Sequence, residues 1–122
     1  MRFVWVWLVG VCLFYNPNVM ERVAAYRQLE CAECVGTVAV PDCGQLGERI
    51  WLERDGGVEG PFLVVDCAAE EDRERLTQRG LVAEVDWLTA QRWQMFGPVS
   101  CQSAAGPYPA AQWWHMKMSR IE

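Results

Sequence analysis

Apolar positions in this chain come in short runs closed by turn chemistry, a pattern that predicts strands more often than helices. Residues 35–40 form a β-rich run that Pro41-Asp42-Cys43-Gly44 breaks, and residues 48–54 form the next. In Arg49-Ile50-Trp51-Leu52-Glu53 the flanks are charged and the centre apolar, as in a strand crossing a core. Asp55-Gly56-Gly57 supplies positive-φ positions for a tight hairpin turn, and the chain returns through Val58-Glu59-Gly60-Pro61 into a strand over residues 62–66. Residues 68–79 are nearly all charged and helix-favouring, with Leu76 the one large apolar side chain and Gly80 suited to the C′ position, so a solvated surface helix is expected. A strand over residues 81–86 follows, then a short helix over 89–96 that Gly97-Pro98 ends, then a last short strand at 99–101. From Gln102 the chain turns to Ala, Gly and Pro, and Trp113-Trp114-His115-Met116-Lys117-Met118 closes it without a decisive period.

Two of these runs end on an aspartate, Phe62-Leu63-Val64-Val65-Asp66-Cys67 and Leu81-Val82-Ala83-Glu84-Val85-Asp86-Trp87. Carboxylates at the ends of buried strands are costly to desolvate, so they pair, bind something or do chemistry. The chain has 122 residues, 52% of them hydrophobic, enough for one modest core and a single domain. Its formal charge of -5 comes without any Lys/Arg cluster, which excludes nucleic acid as an expected partner because counterion release needs such a cluster.

The N-terminus carries an almost unbroken apolar run over residues 3–15 behind Arg2. That is the length of a signal-peptide h-region and short of the roughly 18 residues that span a bilayer. No small-x-small site follows it, and Val11 stands where a lipoprotein box needs a small residue. Three placements remain open: a cleaved export signal, an uncleaved anchor, or a buried core segment. The first two make the protein secreted or membrane-anchored on the extracytoplasmic side, with membrane association through residues 1–15 in the anchored case. Asn16-Pro17-Asn18 reads as a turn in which Asn18 caps a helix over residues 19–29, with Val19, Val23 and Tyr26 on one face.

Six cysteines fit export, since small exported domains supplement their cores with disulfides. With Cys12 inside the apolar segment, Cys31, Cys34, Cys43, Cys67 and Cys101 remain for the domain, an odd number that implies a free or interchain thiol. Cys31-Ala32-Glu33-Cys34 has the spacing of half a zinc site or of a redox motif. No second CxxC or HxxxH accompanies it, and the one histidine, His115, lies in the tail. Disulfides are therefore the leading expectation, ahead of a four-cysteine zinc site that would add Cys43 and Cys67, and no metal or cofactor is assigned.

The order of hairpin, strand ending in Asp, charged excursion, strand ending in Asp, short helix and last strand resembles the double-psi β-barrel of the rare lipoprotein A, expansin and barwin group. The residues that carry the resemblance are Cys43-Gly44 before Ile50-Trp51-Leu52, then Val64-Val65-Asp66-Cys67, then Val85-Asp86 before the short helix. It covers roughly residues 35–101 and departs from the group at Glu84, where expansins carry His, and at Trp87-Leu88, where Leu-Ser usually leads into the helix. The fold it implies is mainly β: a small six-stranded double-psi barrel with short helices, preceded by the apolar segment and a helix. The corresponding division is 1–15 as signal or anchor, 16–30 as helical lead-in, 31–102 as barrel and 103–122 as tail. Cys43 with Cys67 is the most natural pairing, because both abut barrel strands.

Family likeness also implies a cell-wall role, with peptidoglycan or a related glycan as partner. A lytic transglycosylase needs only one carboxyl of raised pKa, acting first as acid and then as base, because the muramic 6-hydroxyl attacks its own anomeric carbon. By the resemblance Asp86 is that residue and Asp66 shapes the groove. Glu84 and Asp86 alternate along one strand face, where like-charge crowding raises one pKa. The bland alternative is that both aspartates accept backbone N–H groups at loop and helix starts, and that Glu84 is solvated. Trp87, beside Asp86, is the candidate sugar platform, whereas Trp51 and Trp93 fall where core packing is the default. The competing reading for the whole chain is a non-catalytic, disulfide-stabilised structural or protein-interaction module.

Overall fold

Asp55 and Gly56 both take left-handed backbone angles, with φ of 52° and 83°. Two successive positive-φ residues make a two-residue turn whose twist matches that of the strands it joins, and Arg54 pairs directly with Gly57 across it. The hairpin consists of β3 (Arg49–Arg54) and β4 (Gly57–Cys67), so Gly57 already belongs to the return strand. The computed structural model describes residues 8–105; the tail tryptophans, His115 and residues 1–7 lie outside that span.

The other strands are β1 (Leu8–Phe14), β2 (Gly36–Val40), β5 (Leu81–Val85) and β6 (Val99–Ala105). They close into a barrel in the order β1-β5-β2-β4-β3-β6. β1 runs parallel to β5 and β2 parallel to β4, while the remaining neighbours are antiparallel. The chain is thus a mainly β, six-stranded closed barrel with a few short helices, an arrangement compatible with a double-psi topology. Inside it Val38, Ile50, Leu52, Phe62, Val64 and Val85 are at most 2% exposed. Closure leaves no unpaired edge among the six described strands.

Half of the N-terminal apolar run is part of this wall. Leu8–Phe14 lies between β5 and β6, with Gly10 opposite Cys101 and Phe14 opposite Val85. Of the three placements considered for the run, the described residues take the buried-core one. An apolar stretch flanked on both sides by other strands has the same composition as an h-region, so periodicity cannot separate the two. Cys12 is fully buried and disulfide-bonded to Cys101. The odd cysteine count is corrected accordingly: no free cysteine is present, Cys31 pairs with Cys34, and Cys43 pairs with Cys67 as expected. Three disulfides in so small a chain point to an oxidising, extracytoplasmic environment.

Among the described residues three α-helices lie on the barrel. α1 (Pro17–Arg27) is capped by Asn16, whose side chain accepts from the Asn18 N–H, so the cap sits two residues earlier than expected. It covers the outer face of β4, where Leu63 and Val65 pack against Tyr15, Ala24, Leu29, Cys31 and Cys34. α2 (Glu70–Gln78) buries no residue, as its charge pattern predicts, and Gly80 follows it with φ of 77°. α3 (Trp87–Arg92) starts two residues before the expected position because Asp86 is its cap.

Candidate functional site

The two parallel and antiparallel ladders around β2 decide where the strand-ending carboxylates go. Ala39 pairs with Glu84 on one side and with Asp66 on the other, so the two acidic residues bracket it on neighbouring strands. Their backbones are two strand spacings apart, roughly 9.6 Å. The register of β2 against β4 shifts between Val38 and Ala39: Val38 faces Val64, but Ala39 faces Asp66. One extra residue therefore interrupts the alternation that starts with buried Val64, a device that re-aims a side chain next to functional sites.

Asp66 stands in a small cluster. Its Oδ2 accepts from the Tyr15 hydroxyl at 2.5 Å, and its Oδ1 accepts from the Cys67 N–H at 2.9 Å and lies 3.4 Å from Arg27 Nη2. Burial, then the hydrogen bond to Asp66, raises the Tyr15 pKa far above its ordinary value, so this phenol stays a donor. Glu84 completes the group: burial first and the Asp66 charge second raise its pKa above 4.5. Tyr15, Asp66 and Glu84 line a cavity of about 170 Å³ whose remaining wall includes Pro41, Leu76 and Leu81.

Asp86 is placed differently. Its Oδ1 accepts from the Thr89 N–H and its Oδ2 from the Thr37 N–H, both at 2.7 Å. Gly36 makes room for it, because a Cβ there would sit 2.1 Å from Asp86 Oδ2. Both oxygens are thus engaged by backbone, one capping α3 and one joining α3 to the start of β2. The fold uses Asp86 as a tie, and it does not line the cavity that Asp66 and Glu84 share. Trp87 in the first turn of α3 is 40% exposed, with its ring edge-on to Phe14 at a centroid distance of 5.6 Å. Trp93 is buried and donates from Nε1 to Glu59, beneath the Arg54 guanidinium, so it is a core residue as its position suggests.

Sequence reading missed Tyr15 and Arg27. Neither belongs to a motif, and both come to Asp66 only because β1 enters the barrel and α1 folds across β4. The sole local signal was a hydroxyl-bearing aromatic at the end of an apolar run. Of the cysteines named as site residues, Cys43, Cys67, Cys31 and Cys34 are all in disulfides, so none is a thiolate available to zinc. Among known proteins, no family model, no curated sequence and no solved structure matches the chain.

Glu84 gives the site a pH signature with a definite sign. A carboxyl whose folded pKa is raised contributes stability that is complete below its unfolded value, near 4.5, and lost as pH rises through the folded value. Glu84→Gln, which cannot ionise, is therefore expected to gain melting temperature relative to the natural protein as buffers go from about pH 4 to about pH 8. Paired thermal melts check this; a difference that is flat or falls with pH contradicts the placement of Glu84.

Proposed function

We propose that this protein is an extracytoplasmic, cell-wall-associated barrel of the rare lipoprotein A, expansin and barwin type that binds peptidoglycan or a related glycan at the Tyr15–Asp66–Glu84 cavity and cleaves it there. The observation that carries the reading is the pairing of unlike carboxyls in one cavity: Asp66 held by Tyr15 and Arg27, and Glu84 with a raised pKa. Two acidic groups with environments that differ in this way divide acid and anion roles between them. A volume of about 170 Å³ is small for a ligand site, which suits one edge of a sugar unit rather than a whole oligosaccharide. Trp87 supplies a partly exposed aromatic face at the start of α3, outside the cavity lining.

In the cleavage step Glu84 gives its proton to the glycosidic oxygen as the bond from C1 breaks. The same carboxylate then takes the proton of the muramic 6-hydroxyl as that oxygen bonds to C1, which regenerates the acid and leaves an anhydro sugar. Asp66, fixed in place by Tyr15 and Arg27, stabilises positive charge that develops at C1. This assignment moves the proton from Asp86 to Glu84, because Asp86 has no free oxygen for it.

A second reading is favoured by that same tie. If Asp66 and Asp86 serve only the fold, the chain is a disulfide-stabilised structural or protein-interaction module. Incubating the folded protein with purified sacculi separates the two. The enzymatic reading expects retention on sacculi and release of anhydro-muropeptides, both lost in Glu84→Gln; no retention and no product leave the module.

A further inference from the structure

The three disulfides do unlike jobs. Cys12–Cys101 joins two barrel strands and is buried, with exposures of 0% and 3%. Cys43–Cys67 ties the 3-10 turn at Cys43–Gln45 to the end of β4. Cys31–Cys34 spans a separation of three residues in the connection between α1 and β2, and joins no two elements of regular structure. Both its cysteines are partly buried, as is Cys67, whereas Cys43 is exposed.

Topology, rather than charge, separates the two accessible bridges, since Cys43–Cys67 anchors an element to the barrel and Cys31–Cys34 anchors none. The attacking species in thiol–disulfide exchange is a thiolate, which neighbouring carboxylates repel and cations favour. Cys43 and Cys67 are flanked in sequence by Asp42 and Asp66, which pair with Arg73 and Arg27. At the other bridge Glu33 pairs with Arg49, whose Nε lies 2.5 Å from its carboxylate, and Glu30 directly precedes Cys31, so carboxylates and cations stand beside both bridges. The Val35 N–H donates to the Pro61 carbonyl, which holds the start of β2 to the barrel without the disulfide, whereas on the other side the Leu29 N–H donates to the Ala24 carbonyl within the C-terminal turn of α1 itself. Breaking the bridge therefore requires no strand to leave the barrel.

We propose that Cys31–Cys34 is a thiol–disulfide exchange site, opened by the cysteine dithiol of a partner protein, and that its opening loosens α1 on the outer face of β4. One partner thiolate attacks a sulfur of the bridge, the Cys31–Cys34 bond breaks to a mixed disulfide, and the released thiolate takes a proton. The second partner thiol then attacks the mixed disulfide, so the partner leaves oxidised and this chain keeps two thiols. The effect on α1 follows from packing, because Cys31 and Cys34 share one apolar cluster with Leu63, Val65, Ala24 and Tyr15. Two free thiols occupy more space than a bridge and are more polar, and that cluster is what holds α1 down. Arg27, in the last turn of α1, carries the loosening to Asp66.

The test uses the full oxidised chain, a graded series of dithiothreitol as the dithiol probe, and alkylation read by peptide mass mapping. Cys31 and Cys34 are expected to label at least about tenfold faster than the other four cysteines, as local opening precedes global unfolding. In the selectively reduced protein, tryptic cleavage after Arg22 and Arg27 is expected to accelerate by a similar factor, and Cys31→Ser/Cys34→Ser should show the fast rate without reductant. Simultaneous labelling of all six cysteines, earlier labelling of Cys43 and Cys67, or selective reduction with unchanged cleavage each overturns the proposal. The wild-type arms stand without the variant, and neither uses glycan, so this proposal and the glycan reading fail separately.

Discussion

A chain that begins at Asn16 is expected not to form the barrel. Removing residues 1–15 deletes β1, which pairs with β5 along one side and β6 along the other. Two edges would then stand open around an exposed core, and an unpaired strand edge is a template for aggregation. The cut also removes Cys12, leaves Cys101 without its partner and takes Tyr15 from Asp66. The disulfide alone closes a separation of 89 residues, worth about 4.6 kcal/mol on the chain-entropy relation. That is comparable with the entire stability of a small domain, about 5–15 kcal/mol. Cooperative thermal unfolding followed by near-ultraviolet circular dichroism checks it: the full chain should show a transition and the truncated chain none, with Cys12→Ala/Cys101→Ala folded but markedly less stable. A cooperative transition in the truncated chain would show that β1 is dispensable, and with it the site that Tyr15 completes.

Asp86→Ala is expected to be the most destabilising single substitution among the acidic residues. Its two oxygens accept from Thr37 and Thr89 at 2.7 Å each. Losing the cap on α3 costs about 1 kcal/mol, and leaving the Thr37 N–H without its partner costs about 1–3 kcal/mol. Together these give roughly 2–4 kcal/mol, to be read from the midpoint of a denaturant titration. Thr89 and Ala90 are buried in the same short helix, so the loss should also loosen the packing of α3. A loss below about 0.5 kcal/mol, the range of a solvated surface side chain, would return Asp86 to the groups free for chemistry.

Much of the barrel was legible because turns and strands announce themselves locally. Asp55-Gly56 specifies its hairpin by the φ values it tolerates, Gly80 ends α2, and the hairpin turn makes Phe62-Leu63-Val64-Val65 a buried return strand. Cys43 and Cys67 were paired correctly since each abuts a strand end. The N-terminal run was the hard case: composition alone does not distinguish a segment buried by lipid or translocon from one buried by β5 and β6. From that one ambiguity came the odd cysteine count and the late start of the barrel. The site was half legible. Carboxylates at strand ends were visible, but which of them reaches solvent depends on a one-residue register shift beside Ala39 and on Gly36 making room for Asp86. Tyr15 and Arg27 come from 51 and 39 residues away in sequence, and no local pattern encodes such a meeting.

The central claim is that ligand meets this protein at the Tyr15–Asp66–Glu84 cavity and not at Asp86. Amide chemical-shift mapping of the isotope-labelled full chain during titration with soluble muramyl glycan fragments tests it most directly. The account predicts saturable shifts at Ala39, Asp66, Cys67, Ala68 and Glu84, which line the cavity, and their loss in Glu84→Gln while the barrel spectrum persists. Shifts centred on Thr37, Asp86 and Thr89 with the cavity silent, or no shifts at all, would contradict it.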